Sequence, residues 1–312
     1  MMWWSKTNRE DRPEESPIPR GALPLEKAPD AIWRAIESRL DTPARQPFRR
    51  PFETWRWAVA ATLVVGIAGA WFATRQPRAA WDVVRVEGSA ETAGRVAEGE
   101  WLETGADGRA RIAVGSIGVV ELEPETRVRL VTANPREHRL ELGRGEIAAT
   151  ISAPPRLFFV NTPAAVAVDL GCAYRMKSDA AGNGLLRVTA GWVALERSGG
   201  EALVPAGASA KIDARRGPGT PYFDDAPGIL RAALDKFDAD ASGLDAVLSA
   251  ARVRDTLSLW HVLARTNGAD RERVFDRMTA LTPLPQGVTR EKALLLDPET
   301  LKHWREELAW TW

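Results

Sequence analysis

The residues best able to do chemistry are few and lie far apart in the sequence. The chain has a single cysteine, Cys172, and three histidines, His138, His261 and His303. A thiol can act as a nucleophile or redox centre, and a histidine as a proton carrier or metal ligand. One cysteine cannot form an intrachain disulfide, and no Cys/His spacing resembles a zinc site. The HExxH, GxSxG and lysine-bearing phosphate-loop motifs are also missing from the sequence.

These residues do not supply a nucleophile, a base and an orienting group together, so the sequence predicts a protein that is not an enzyme and needs no cofactor or metal. Cys172 is interpreted as a buried strand residue, because cysteine is among the most often buried residue types. Its replacement by serine is expected to cost at most about 1–3 kcal/mol, for a buried hydroxyl without a partner. His261 is interpreted as a core residue of a helix. The 42 basic and 42 acidic residues cancel, which argues against nucleic acid as a partner.

One uncharged run divides the chain. Residues 57–73 read WAVAATLVVGIAGAWFA. As a helix this run would rise about 25 Å, close to the roughly 30 Å of a bilayer core. Within about 15 residues, four arginines precede the run and two follow it, which favours a cytoplasmic N-terminus. The sequence therefore predicts a single-pass protein of the inner (cytoplasmic) membrane, with its C-terminal domains in the periplasm.

Residues 1–56 are predicted to form a mostly disordered cytoplasmic arm, because much of this stretch is rich in Pro, Glu and Arg. A short helix is expected over residues 30–40, capped by Asp30. It is too short to be stable alone, so its apolar stripe needs a partner. One interpretation is docking to a cytosolic protein, and the other is attachment to the membrane surface. The candidate partner-docking residues are Ile32, Trp33, Ile36 and Leu40.

The middle of the chain alternates apolar and polar residues, as in Arg109-Ala-Arg-Ile-Ala-Val114. Gly, Pro and Asn turn signals recur about every ten residues, as expected of short antiparallel strands. Residues 80–215 are therefore predicted to form a mainly β domain, either a sandwich or a rolled sheet.

Several short motifs in this β region resemble FecR-type domains. They occur in the family's order: Gly99-Glu-Trp-Leu-Glu-Thr104, Ala110-Arg111 with Gly115-Ser116 and Val120-Glu-Leu122, Thr126-Arg-Val128, Leu140-Glu-Leu-Gly-Arg-Gly-Glu146, Phe159-Val-Asn-Thr-Pro163, Val188-Thr-Ala-Gly-Trp-Val193 and Val204-Pro-Ala-Gly207. The chain departs from the family where Gly-Thr-x-Phe is usual and Gly171-Cys-Ala-Tyr174 stands here.

The resemblance implies a membrane-anchored protein of the anti-sigma or transmembrane-sensor type, with a periplasmic β domain. In the best-known members that domain senses an envelope partner, and the cytoplasmic arm controls an alternative sigma factor. Many relatives keep only the β domain, so the resemblance does not entail sigma-factor control. An anti-sigma domain of the zinc-containing type is excluded, because residues 1–56 hold neither Cys nor His.

After residue 216 the apolar period becomes that of helices, and residues 225–312 are predicted to form an all-α bundle. Asp255 or Thr256 is expected to cap one helix that Asn267-Gly268 ends, and Asp297 to cap the last. The terminal residues Trp310 and Trp312 are expected to cover the core of the bundle.

The sequence thus favours a sensory or regulatory envelope protein acting by protein contacts. Its expected partners are the membrane, an envelope protein or ligand, and an alternative sigma factor as the candidate cytosolic partner. The alternative is a structural or ligand-binding envelope module that passes no signal inward.

Overall fold

The computed structural model describes residues 30, 31, 34, 79–87, 90–197 and 200–312. The chain divides into two units, Met1–Arg75 and Gln76–Trp312. Asp30, Ala31 and Arg34 are helical and exposed, and the rest of the predicted helix 30–40 lies outside the described residues. The predicted membrane span 57–73 lies outside them as well. Within the part of the chain that is described, no helix is both long and apolar enough to cross a membrane.

The second unit begins with sixteen described strands, and all but one of their pairings are antiparallel. They are β1 (Ala80–Glu87), β2 (Ala90–Ala97), β3 (Trp101–Glu103), β4 (Gly108–Val114), β5 (Gly118–Leu122), β6 (Arg127–Asn134), β7 (Glu137–Ile151), β8 (Phe158–Asn161), β9 (Val166–Asp169), β10 (Ala173–Ser178), β11 (Gly184–Ala190), β12 (Trp192–Arg197), β13 (Gly200–Pro205), β14 (Ala208–Asp213), β15 (Gly217–Pro218) and β16 (Tyr222–Phe223).

The long strand β7 joins two halves of one continuous sheet. Its first part pairs with β6 and β8, and its second part pairs with β5 and β10. Gly145 lies where the pairing changes, with a φ of +97° that side-chain-bearing residues rarely adopt. The two halves bury one common apolar core, as predicted for a sheet with one buried face.

Six α-helices of the described residues follow the strands. They are α1 (Gly228–Asp240), α2 (Leu244–Ala250), α3 (Thr256–Arg265), α4 (Gly268–Leu281), α5 (Arg290–Leu294) and α6 (Pro298–Leu308), and a short 3₁₀ turn, Ala309–Thr311, ends the chain. Their apolar faces form a second core. The predicted arrangement of a β-rich part followed by C-terminal helices is confirmed.

Two details of the helices differ from the sequence expectation. Asn267-Gly268 does not end α3 but begins α4, with Asn267 at the N-cap position. Asp255 precedes α3 as expected, yet its carboxylate accepts hydrogen bonds from the backbone and guanidinium of Arg252 instead of capping the helix. The Asp297 cap of α6 is confirmed, because its side chain accepts a hydrogen bond from the Thr300 amide at 2.9 Å.

Candidate functional site

The predicted docking residues Ile32, Trp33, Ile36 and Leu40 lie outside the described residues. Their binding role therefore stays a prediction. The described part of the chain offers a different candidate site, at the contact between the β sheet and the helices.

The helix α3 is the element that connects the two cores. Leu257 belongs to the core of the sheet, whereas Leu259 and Val262 belong to the core of the helices. A helix that is apolar on several sides is expected to be buried between other elements. This position explains why α3 brings its polar side chains against strands.

Three polar side chains of α3, those of Ser258, His261 and Arg265, bond to the strand region. The Ser258 hydroxyl donates to the Pro221 carbonyl at 2.7 Å. The ring atom Nε2 of His261 lies 3.3 Å from the Leu203 carbonyl oxygen on β13. Because a carbonyl can only accept, the neutral His261 must carry its proton on Nε2. His261 is buried, as the sequence predicted. It is not only a residue of the helical core, because its ring also bonds to a strand carbonyl.

Trp312 also contributes to the contact between the sheet and α3. The Trp312 ring lies 6.0 Å from the Trp192 ring of β12, and its indole N–H donates to the Thr256 hydroxyl at 3.0 Å. Trp312 packs against both cores. Trp310, in contrast, is 89% exposed, so only one of the two terminal tryptophans covers a core as expected.

Beside α3 a groove of about 920 Å³ separates α1 and α3 from strands β11 and β13–β15. Two of the ion pairs that line it involve α1: Lys211 of β14 contacts Asp235 of α1 at 2.7 Å, and Arg265 of α3 contacts Asp238 of α1 at 2.6 Å. The Thr220 hydroxyl also donates to Asp238, at 2.6 Å. A volume of this size suits a small ligand or a short peptide, and its balanced charges favour a polar one.

The described residues that line the groove do not form a metal site or a nucleophilic site. Among residues 79–87, 90–197 and 200–312, no three potential metal ligands cluster. His261 is the one histidine that lines the groove, and the Cys172 thiol is not part of its lining. The arrangement can bind polar groups and hold the helices to the sheet.

Cys172 lies in a separate buried polar cluster. Its thiol lies 2.6 Å from Oδ2 of Asp169, whose Oδ1 accepts a hydrogen bond from the Gly171 amide at 2.7 Å. Burial, and next the bond to Asp169, raise the pKa of the Cys172 thiol, so the reactive thiolate is disfavoured. The Tyr174 hydroxyl is buried and has no hydrogen-bond partner among the described residues. The thiol thus holds a donor position that the threonine usual in FecR-type domains could also fill.

From the sequence alone, a serine at position 172 is expected to bury a hydroxyl without a partner, and this cluster corrects that expectation. A serine hydroxyl would not lack a partner, because the Asp169 carboxylate can accept its hydrogen bond. We expect Cys172→Ser to lower the free energy of unfolding by less than about 1 kcal/mol, and Cys172→Ala by about 1–3 kcal/mol, since alanine removes a donor from a buried carboxylate. Urea unfolding of both variants measures the difference. A serine variant less stable than the alanine variant would contradict the assignment.

The buried His261 makes stability depend on pH. Burial lowers its pKa from 6.5 to about 4, and the charges of Arg265 and Arg305 act in the same direction. The unfolded chain therefore binds more protons than the folded chain below pH 6.5, and stability is lost as the pH falls towards 4. From pH 7 to pH 5 we expect a loss of about 2 kcal/mol from this group.

Urea unfolding at both pH values of the unchanged chain, His261→Gln and His303→Gln tests this expectation. The His261 variant should lose most of that pH-dependent difference, whereas the variant of the exposed His303 should keep it. Equal pH dependence in all three proteins would show that His261 titrates normally in the fold.

Comparison with known proteins finds a family match within the strand region. Residues 100–194 match the sequence model of the FecR protein family. No curated protein matches the chain.

Two crystal structures of a candidate anti-sigma factor from Parabacteroides distasonis, at 1.65 and 2.50 Å resolution, share 17% and 16% sequence identity with the chain. Both have a TM-score of 0.36 and align with 43% of this chain. The chain spans 63% of the length of each of these structures.

Proposed function

Because the chain carries a FecR-type domain, we propose that it is a membrane-anchored regulatory sensor that works through protein contacts. The observation that carries the proposal is the FecR match over residues 100–194, downstream of the uncharged run 57–73. In this arrangement the FecR-type domain and the helices occupy the periplasm. The run 57–73 crosses the inner membrane once, and residues 1–56 stay in the cytoplasm.

The described contacts support a binding role rather than catalysis. Three ion pairs line the groove beside α3, and the single thiol is buried with its pKa raised. The helices share side chains with the core of the sheet through Leu257 and Trp312. A partner that binds the helices or the groove therefore acts on the sheet through direct contacts.

The cytoplasmic arm is the part proposed to act on the inner partner, for which an alternative sigma factor is the candidate. Its apolar stripe consists of Ile32, Trp33, Ile36 and Leu40, which recur at helical spacing. An isolated helix of this length is marginal in water, so binding to a partner would supply the missing stability. Trp33 is the expected anchor, because tryptophan is enriched among residues that dominate binding energies.

The experiment compares Trp33→Ala with Trp4→Ala in the full chain held in lipid nanodiscs. Trp4 offers the same chemical change in the arm but outside the stripe. We expect the affinity for a co-purified sigma factor to fall by more than about 1 kcal/mol in the Trp33 variant, and to be unchanged in the Trp4 variant. If a peptide of residues 28–56 binds lipid vesicles and the arm captures no sigma factor, the arm is a surface anchor and the signalling role fails.

A second candidate function is a ligand-binding envelope module without inward signalling. The groove of about 920 Å³ between sheet and helices is the observation that favours it. Under this alternative, removing residues 1–56 would leave the protein's cellular role intact, whereas altering the groove would abolish it.

A further inference from the structure

The hairpin of β1 and β2 precedes the residues that match the FecR family, and it ends the sheet with an open edge. Along β2, the six residues from Ala90 to Arg95 are all exposed. Among the described strands β2 pairs with β1 alone, through all eight of its residues. The outer edge of β2 thus presents backbone N–H and C=O groups that can pair with another strand.

The sequence of β2 is complementary to itself in the antiparallel direction. It reads Ala-Glu-Thr-Ala-Gly-Arg-Val-Ala from Ala90 to Ala97. When Ala93 is placed opposite Ala93 of a second copy, Glu91 of each copy falls opposite Arg95 of the other. Opposite charges that face each other across an antiparallel pair stabilise it, and like charges destabilise it.

We propose that β2 pairs with β2 of a second copy of this chain, about a two-fold axis through Ala93. The two sheets then continue into each other, with two reciprocal Glu91–Arg95 ion pairs. Such a contact is closed by its own symmetry, because each copy offers the same surface. The proposal does not depend on the regulatory function.

The neighbours of β2 fit this register. Ala93 lies opposite Val84 of β1, which is 37% exposed, so an apolar row of Val84 and Ala93 crosses the axis. Arg95 lies 3.5 Å from Asp82 within its own copy, and both side chains are largely exposed. That pair is weak in water and leaves Arg95 able to take a second carboxylate. The central residues Thr92, Ala93 and Gly94 are small and place no bulky side chain at the axis.

The strand β13, which also pairs with a single described strand, is less suited to such pairing. The terminal strand β13 lies beside the helices, where Leu203 already bonds to His261. Glu201 and Ala202 of β13 line the groove that α1 and α3 close from the other side. A second copy of the sheet would have to displace these helices, whereas no described strand or helix covers the outer edge of β2.

Crosslinking through one introduced cysteine in the purified full chain tests the register. The native Cys172 is only 4% exposed and does not compete. Ala93→Cys puts two thiols opposite each other at the axis, within the Cα separation that a disulfide tolerates. Ala90→Cys is the matched control, because two residues at that position would lie about 20 Å apart along the paired strands. We expect mild oxidation to link Ala93→Cys into a dimer and to leave Ala90→Cys monomeric.

Charge exchange supplies the second arm of the test, in the Ala93→Cys background. Glu91→Arg or Arg95→Glu alone should reduce the crosslinked fraction by about fivefold, and the two together should restore it. These side chains are exposed, so the exchanges leave the fold intact. Equal crosslinking at positions 90 and 93, no crosslinking at 93, or failure of the double exchange to restore it would overturn the proposal.

Discussion

Replacing Trp304 by alanine is expected to lower the free energy of unfolding by about 3–5 kcal/mol, the range for large aromatic residues in cores. Trp304 on α6 is completely buried. Its ring lies 5.5 Å from Phe275 of α4 and 5.9 Å from Trp260 of α3. Its indole N–H has no hydrogen-bond partner in the described part of the chain, so the loss is one of packing.

Urea unfolding followed by far-UV circular dichroism measures this loss. The matched control is Trp310→Ala, which removes the same side chain from a position that is 89% exposed. The control should change stability by less than about 0.5 kcal/mol. Similar losses in the two variants would show that α6 does not pack on α3 and α4 as described.

Replacing Gly145 by alanine is expected to cost more than about 3 kcal/mol, because backbone strain and a steric clash add. A Cβ atom at this position would lie 2.4 Å from the Cα of Thr126, which is backbone and cannot rotate away. The φ of +97° adds strain for any residue with a side chain. Gly145 lies where β7 passes from one half of the sheet to the other, so the substitution would disturb both halves.

Gly105→Ala is the control for this prediction, because nothing lies within 4 Å of a Cβ atom built there. It should leave the urea midpoint nearly unchanged. A stable Gly145→Ala protein with a native near-UV spectrum would contradict the geometry of this crossing.

The strands and most helices could be predicted because their patterns are local. The alternation in Arg109–Val114 gives the in-and-out burial of β4, and the apolar spacing of Leu230, Ala233, Leu234 and Phe237 gives the buried face of α1. The short helix α5 escaped prediction because its five residues show less than two turns of periodicity. Asn267-Gly268 was wrongly expected to end a helix, since the same residue types also begin one.

The candidate site could not be predicted in the same way, because it depends on contacts between distant residues. The groove is lined by residues of β11, β13, α1 and α3. The spacing of residues within one segment does not indicate that these elements lie side by side. His261 could be placed on an apolar helical face, but its bond to Leu203 spans 58 positions of the chain. The Trp192–Trp312 contact likewise has no local signal. The burial of Cys172, in contrast, could be predicted from its residue type alone.

In the proposed topology the FecR-type domain lies outside the cytoplasm and the arm inside. The single buried Cys172 makes labelling of introduced cysteines a direct measurement of this topology. Ala106→Cys places a thiol on an exposed turn of the FecR-type domain, and Ser16→Cys places one in the arm. Cells with a permeabilised outer membrane are treated with a maleimide that does not cross the inner membrane.

We predict that the Ala106→Cys chain is labelled in these cells, that the Ser16→Cys chain is labelled only after lysis, and that the unchanged chain is not labelled in either. Labelling of Ser16→Cys in unlysed cells, with Ala106→Cys protected until lysis, would reverse the topology. Protection of both thiols until lysis would place the whole chain in the cytoplasm and contradict the account.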